Sequence, residues 1–293
     1  MELEESIINI YLRIEKVYLD ITKGCPLRKG GFAPKLTDVE TITIEVIGEM
    51  QSRNGDRSIW QYCKDHWLHY FPNLPSYKTF AKQCANLTWI KQRILEKLFP
   101  PKDKIHIVDG VPMPICHNAR AYRSRMLGEH TSWGYCAAKD EHYHGLKGHL
   151  VIGKDGNIAD LIVTPANVDE RTASTDIINK IKGLLIGDKG YIGQDYAKYM
   201  AKHGIDVQTP LRKNMPDSRP KSFVKLLMRI RKSVETALSV LIFKFSITKI
   251  KAHNIHHFKS KLTRKILAYN FYNLFKKSQR IGCYLYFLQR FLC

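Results

Sequence analysis

Acidic residues almost vanish from the last third of this chain: residues 212–293 hold two, Asp217 and Glu235, against 19 lysines and arginines. The first 211 residues carry 25 acids against 28 lysines and arginines, so nearly all of the net charge of +20 belongs to the last third. A segment that repels itself this strongly implies a polyanionic partner more than a solvated face, and nucleic-acid phosphate is the favoured one. An anionic membrane surface is the competing polyanion, on account of the aromatic run Tyr284-Leu285-Tyr286-Phe287-Leu288. The chain also lacks any run of about 18 uncharged apolar residues, so no membrane-spanning helix is expected. Its first residues, Met1-Glu2-Leu3-Glu4-Glu5, are acidic where a signal peptide is basic. The seven cysteines are odd in number and show no C-x-x-C spacing, which suits reduced thiols and predicts a cytoplasmic location. Internal repeats and low-complexity segments are lacking as well. With 44% apolar residues, the 293-residue chain can bury one large core or two smaller ones.

Among the acids that remain, three occupy informative settings. Asp109 closes Ile105-His106-Ile107-Val108-Asp109, a β-branched run followed by Gly110, so a strand should end by presenting this carboxylate. Asp188 repeats the arrangement after Leu184-Leu185-Ile186-Gly187 and is followed by Lys189-Gly190-Tyr191. Glu235 lies in a helical pattern over 229–241, with Ile230, Val234, Leu238 and Leu241 on one side and Arg231 one turn before the glutamate. Either aspartate alone is more often a simple turn residue before glycine. Together with a lone acid in a basic helix, they predict a catalytic site. Carboxylate oxygens are hard ligands that suit Mg²⁺ or Mn²⁺, and two such ions roughly 3.5–4 Å apart can drive phosphodiester chemistry.

The pattern of the chain changes near Pro100-Pro101. Before it, apolar periodicity predicts a helix over 6–22, and the capping box Thr37-Asp38-Val39-Glu40 opens another toward Met50. The aromatic residues Trp60, Tyr62, Trp67, Tyr70 and Phe71 continue helical spacing and are expected mainly in a core, and a further helix begins near Pro75-Ser76. Residues 1–99 therefore read as an all-helical N-terminal domain for DNA binding or dimerisation. After the prolines, 149–153 and 158–164 flank the turn Lys154-Asp155-Gly156-Asn157, a hairpin signal. A helix over 172–182, the strand ending at Asp188, a helix over 194–203 and a strand over 205–209 follow. The layout is α/β of the ribonuclease H type, a mixed sheet flanked by helices, spanning 100–280 with its basic C-terminal part. Open α/β sheets place their sites at strand ends, as these carboxylates require. An apolar and aromatic tail, 281–293, has no assigned role. The spacing His142-x-His144-x4-His149 lacks a suitable fourth ligand for zinc, and Cys63 with His66 reads as part of a core helix.

Several motifs in order, Ile107-Val108-Asp109, Pro114-Ile115-Cys116-His117-Asn118, Gly145-Leu146-Lys147-Gly148-His149, Thr164-Pro165-Ala166-Asn167-Val168-Asp169, Gly187-Asp188-Lys189-Gly190-Tyr191, Leu211-Arg212-Lys213-Asn214 and Arg231-Lys232-Ser233-Val234-Glu235, together resemble the DDE-class transposases of bacterial insertion sequences, most closely the insertion sequence 982 family. The chain differs from that pattern in having Gly110 where Ser is usual and Gly148 where Leu is usual. The resemblance implies a ribonuclease H-like domain in which Asp109, Asp188 and Glu235 hold two Mg²⁺ or Mn²⁺ ions, with Arg231 contacting phosphate or orienting the site. It implies cleavage of double-stranded DNA at terminal inverted repeats and attack of the freed 3′-hydroxyl on target DNA, without a covalent intermediate on Cys116 or Tyr191. A homodimer in a synaptic complex, acting at the bacterial nucleoid, follows by the same analogy, and His149, Asn167 and Asp169 become supporting residues. Expected DNA contacts are Lys189, Arg212, Lys213, Lys225, Arg229, Lys232, Lys244, Lys249, Lys251, Lys259, Lys261, Arg264 and Lys265. The rival from another class is a non-catalytic DNA-binding protein derived from such an enzyme.

Overall fold

The computed structural model describes residues 3–291 apart from 26, 29, 102, 138, 179 and 213, with side chains described through 278 apart from that of 177. It divides into two compact units, one formed by 1–98 with 256–293, the other by 99–255. Residues 256–280, which the sequence grouped with the α/β domain, fall in the first unit together with the tail.

The first unit is helical: α1 (Leu3–Thr22), α2 (Asp38–Met50), α3 (Asp56–His66), α4 (Tyr77–Asn86), α5 (Thr88–Leu98) and the long α9 (Ile255–Phe291). Thr37 caps α2 in the expected box, its side chain accepting from the Glu40 amide while the Glu40 side chain accepts from the Thr37 amide. Trp67 and Phe71 are buried as core residues. Within this unit α2 is buried on nearly every side, including Glu45 and Glu49, which are 0% exposed. Two buried carboxylates on successive turns are tolerated only if cations reach them. Lys91 donates to Glu45 at 2.9 Å, Arg264 to Glu49 at 2.8 Å and to Glu45 at 3.1 Å, and Lys265 to Glu49 at 2.7 Å. The network thus clamps α5 and α9 onto α2.

The second unit is mixed α/β, a curled sheet with helices flanking it. Among the described residues the sheet has six strands: β1 (Ile105–Pro114), β2 (Ser132–Cys136), β3 (Glu141–Gly153), β4 (Ile158–Pro165), β5 (Gly183–Ile186) and β6 (Ile205–Gln208). Their order is β2-β3-β1-β5-β6, with β4 also paired to β3. The β3–β4 hairpin turns where Asp155-Gly156 stands, Gly153 N–H donating to the Asn157 carbonyl at 2.9 Å. β1 runs antiparallel to β3 and parallel to β5, and β5 runs parallel to β6. Val108, Val151, Leu185 and Ile205 from these strands meet Ile181, Tyr191, Tyr196 and Met200 in one core. Helices α6 (Glu170–Ser174), α7 (Gln194–Lys202) and α8 (Lys221–Phe243) complete the unit.

The helix expected over 172–182 is much shorter than its periodicity suggested. Ser174 Oγ donates to the Arg171 carbonyl and Thr175 Oγ1 to the Thr172 carbonyl, so hydroxyls compete for the helical acceptors, and a 3₁₀ turn, Thr175–Ile177, replaces the helix.

Candidate active site

Asp109 and Asp188 are brought together by sheet register. The parallel pair Ile107 and Ile186 is the last between β1 and β5, and each aspartate lies two residues beyond its isoleucine. Adjacent strands lie about 4.8 Å apart. Both side chains are held by local amides: Asp109 Oδ1 accepts from Gly110 N–H at 2.9 Å, and Asp188 Oδ1 accepts from Gly190 N–H at 2.8 Å as the cap of a 3₁₀ turn, Lys189–Tyr191. Gly187 is required by packing, because a Cβ there would stand 2.8 Å from the Tyr191 ring. Gly110 has no such constraint: a Cβ there would meet only Glu170 Oε1, at 3.9 Å.

The third acid comes from α8. Leu227, Val234, Ala237 and Leu241 bury one face of this helix, Arg231 is half-buried, and Glu235 is exposed. The Asp109 carboxyl senses all of them. Burial pushes it up to about 6; the Gly110 N–H opposes this, Asp188 adds to it, Arg231 opposes it and Glu235 adds to it. Asp109, Asp188, Glu235 and Arg231 therefore share one electrostatic field. Among the described residues, however, no three His, Cys, Asp or Glu side chains are gathered closely enough to hold one metal ion. Asp109 and Asp188 fit a divalent cation by donor chemistry, and Glu235 is an exposed carboxylate whose charge Asp109 senses.

The sequence reading passed over a fourth carboxylate in this neighbourhood. Glu170 pairs with Lys147 of β3 at 2.9 Å and lies 3.4 Å from the position of a Cβ on Gly190. Glu170 therefore stands beside the residues that follow both aspartates. Its sole signal in the sequence is its place directly after Asp169, in the loop-to-helix motif. Tyr191 is 1% exposed with no partner for its hydroxyl among the described residues. Burial, then Asp188, Glu170 and Asp109, raise its phenol far above the ordinary range, so it stays protonated.

The supporting residues organise the same end of the sheet. His149, paired across the sheet with Gly110, is buried with Nε2 3.0 Å from Thr164 Oγ1. Burial first, then Lys147, push it down to about 4, so it is neutral. Asn167 Oδ1 accepts from Ser132 Oγ at 2.9 Å, tying the end of β4 to β2. Asp169 caps α6 and pairs with Arg171 at 3.0 Å.

The expected DNA contacts separate into groups. Lys189, Arg212, Lys225, Arg229, Lys232, Lys249, Lys251 and Lys259 are exposed, and Lys244 is half-buried. Lys225, Arg229 and Lys232 recur on one face of α8, beside Glu235. Lys261 is half-buried and pairs with Asp56 at 3.2 Å. Arg264 and Lys265 do not belong with these: their side chains are 1% and 4% exposed and are committed to Glu45 and Glu49. Lys213 lies outside the described residues.

The curled mixed α/β sheet thus carries Asp109 within β1 and Asp188 just past β5, in the unit that also holds the basic helix α8. Residues 100–257 match the family model of the transposase DDE domain, and the chain belongs to that family, whose members generally use divalent metal ions. A comparison with curated proteins finds no match. No described helix is long and apolar enough to cross a membrane.

Proposed function

We propose that this protein is an active DDE transposase of the insertion sequence 982 type with a ribonuclease H-like catalytic domain. It cuts double-stranded DNA at the terminal inverted repeats of its element and joins the 3′-hydroxyl ends to target DNA. The observation that carries this reading is that Asp109 and Asp188 each follow by two residues the same cross-strand pair, Ile107 and Ile186, of the parallel strands β1 and β5. The burial of the Asp109 carboxyl, with Asp188 and Glu235 adding to its raised value, supports it.

Asp109 and Asp188 are the residues that would hold divalent cations, with Glu235 contributing from α8. When bound, a pair of Mg²⁺ or Mn²⁺ ions supplies an activated hydroxyl nucleophile and a stabilised leaving oxygen. The Gly110 and Gly190 amides fix the orientation of the two aspartates. Arg231 offsets part of the carboxylate charge and, in this reading, contacts a phosphate. Lys225, Arg229 and Lys232 give α8 a cationic stripe that positions the DNA backbone. Tyr191, buried and protonated with its ring packed against Gly187, does not act as a nucleophile. Pairing of two element ends makes a homodimer the working form, at the bacterial nucleoid in the cytoplasm.

One observation favours a second reading. Since no three His, Cys, Asp or Glu side chains among the described residues are gathered closely enough to hold one metal ion, a DNA-binding protein that has lost cleavage has the same basic surface without the chemistry. Incubation of a labelled duplex carrying the element's terminal repeat with Mg²⁺ or with EDTA separates the two. Metal-dependent 3′-hydroxyl ends support the enzyme; binding without cleavage under every metal condition supports the second reading.

A further inference from the structure

Both β1 and α8 continue past the acidic site toward a groove of about 840 Å³. Pro112 lies three residues beyond Asp109, about 10 Å along a strand. Phe243 lies eight residues beyond Glu235, about 12 Å along a helix. Both line the groove, so it begins about three nucleotide spacings from the carboxylates, counted at 3.4 Å per nucleotide of a strand. After α8 ends at Phe243, the chain reverses at Ser246 (φ 48°) into a 3₁₀ turn, Ile247–Lys249, which brings Lys249 to the groove wall.

The lining is of two kinds. Pro112, Pro114, Ile242 and Phe243 give it an apolar part, and Phe243 is 81% exposed. Lys139 and Lys249, both exposed, give it a cationic rim, opposed among the described lining residues by Glu141, and His117 and His142 also line it. The Tyr135 ring lies against His142 with centroids 5.1 Å apart, extending the aromatic surface at this edge. An exposed aromatic face with flanking lysines is the combination that holds unpaired nucleotides, whose base faces can stack, whereas a duplex hides those faces.

We propose that this groove binds single-stranded DNA, the unpaired segment next to the cleavage point, with Phe243 stacking on a base and Lys139 and Lys249 contacting phosphates. The inference rests on the transposase reading for its placement beside the cut.

The test is the affinity of the full-length protein for fluorescent oligodeoxythymidylate of eight nucleotides, measured by anisotropy in EDTA at fixed salt, with a duplex of the same length alongside. Phe243 is exposed, so Phe243→Ala and Phe243→Leu leave the fold intact, which thermal melting verifies. Both variants are expected to weaken single-strand binding at least about fivefold and duplex binding less than about twofold. Lys249→Gln is expected to weaken single-strand binding and flatten its salt dependence. Single-strand affinity unchanged in the Phe243 variants, or an equal loss for single strand and duplex, overturns the groove assignment. Cleavage is scored separately with wild type. Phe243-sensitive binding without metal-dependent cleavage would sink the transposase reading and leave the groove, and the reverse pattern would sink the groove alone.

Discussion

Asp109 and Asp188 each stand two residues beyond the same cross-strand pair, Ile107 and Ile186, so a single parallel register brings two distant segments to one carboxylate pair. Burial first, and the neighbouring Asp188 charge after it, make an ionised Asp109 costly to the metal-free protein. Asp109, raised to about 6 from 3.8, is held in surroundings that disfavour its charge. Its contribution to stability is fully present below the unfolded value near 3.8 and is lost as pH rises through 6. Asp109→Asn should therefore raise the melting temperature in EDTA at pH 7.5, by an amount equivalent to about 2–3 kcal/mol at most. The gap should close toward pH 4, and saturating Mg²⁺ should stabilise wild type and not the variant. A variant less stable than wild type in EDTA at pH 7.5 would contradict the electrostatic account.

His149 predicts the opposite slope. Its folded value of about 4 lies below the ordinary 6.5, so the unfolded chain takes up the proton first. Its contribution is complete above pH 6.5 and is lost as pH falls toward 4, amounting to about 3 kcal/mol. Urea denaturation of wild type and His149→Asn across this range should show a wild-type loss that the variant lacks.

Arg264 and Arg229 should behave as different kinds of arginine. Arg264→Met leaves Glu45 and Glu49 buried with fewer cations and should cost about 3–5 kcal/mol of stability. Arg229→Ala should leave stability nearly unchanged, weaken DNA binding and reduce the salt slope by about 1. For wild type, 6–10 phosphate contacts should lower affinity by about 10³–10⁵ between 50 and 200 mM salt. Equal salt slopes for wild type and Arg229→Ala would remove α8 from the DNA surface.

Lys147 and Glu170 form a pair that a double-mutant cycle can isolate. Lys147→Gln leaves Glu170 as an unneutralised charge beside Asp188, so it should cost more than the double variant Lys147→Gln/Glu170→Gln. The coupling should fall in the range of about 0.5–3 kcal/mol in denaturation experiments. Strict additivity would mean that the pair contributes nothing to the site.

Features built from neighbouring residues were legible in the sequence. The Thr37 and Glu40 box and the Asp155-Gly156 turn each depend on a few adjacent side chains and stand where their local pattern indicated, whereas the strand expected to end at Asp109 runs on to Pro114, because β3 stays paired with it as far as Gly145. Features that depend on distant partners were not. Glu45 and Glu49 have the spacing of a solvated helix face, but their cations come from Lys91, 46 residues from Glu45, and Lys265, 216 residues from Glu49. The same distance effect hid the burial of Arg264 and Lys265 within an apparently continuous basic region. β3 begins at Glu141, ahead of the motif at Gly145, because pairing with β2 extends a polar stretch that carries no strand alternation of its own. Gly148 departs from the family's Leu where Met113 Cε lies 2.6 Å from the position of a Cβ, so the neighbouring strand's methionine fills that space.

Parallel assays of wild type, Asp109→Asn, Asp188→Asn and Glu235→Gln on one labelled terminal-repeat duplex test the central claim most directly, with cleavage and binding scored on the same samples in Mg²⁺. The account predicts that each substitution abolishes cleavage while binding survives. Cleavage retained by any variant would remove that residue from the catalytic site, and retention by Asp109→Asn or Asp188→Asn would contradict the assignment of the aspartate pair.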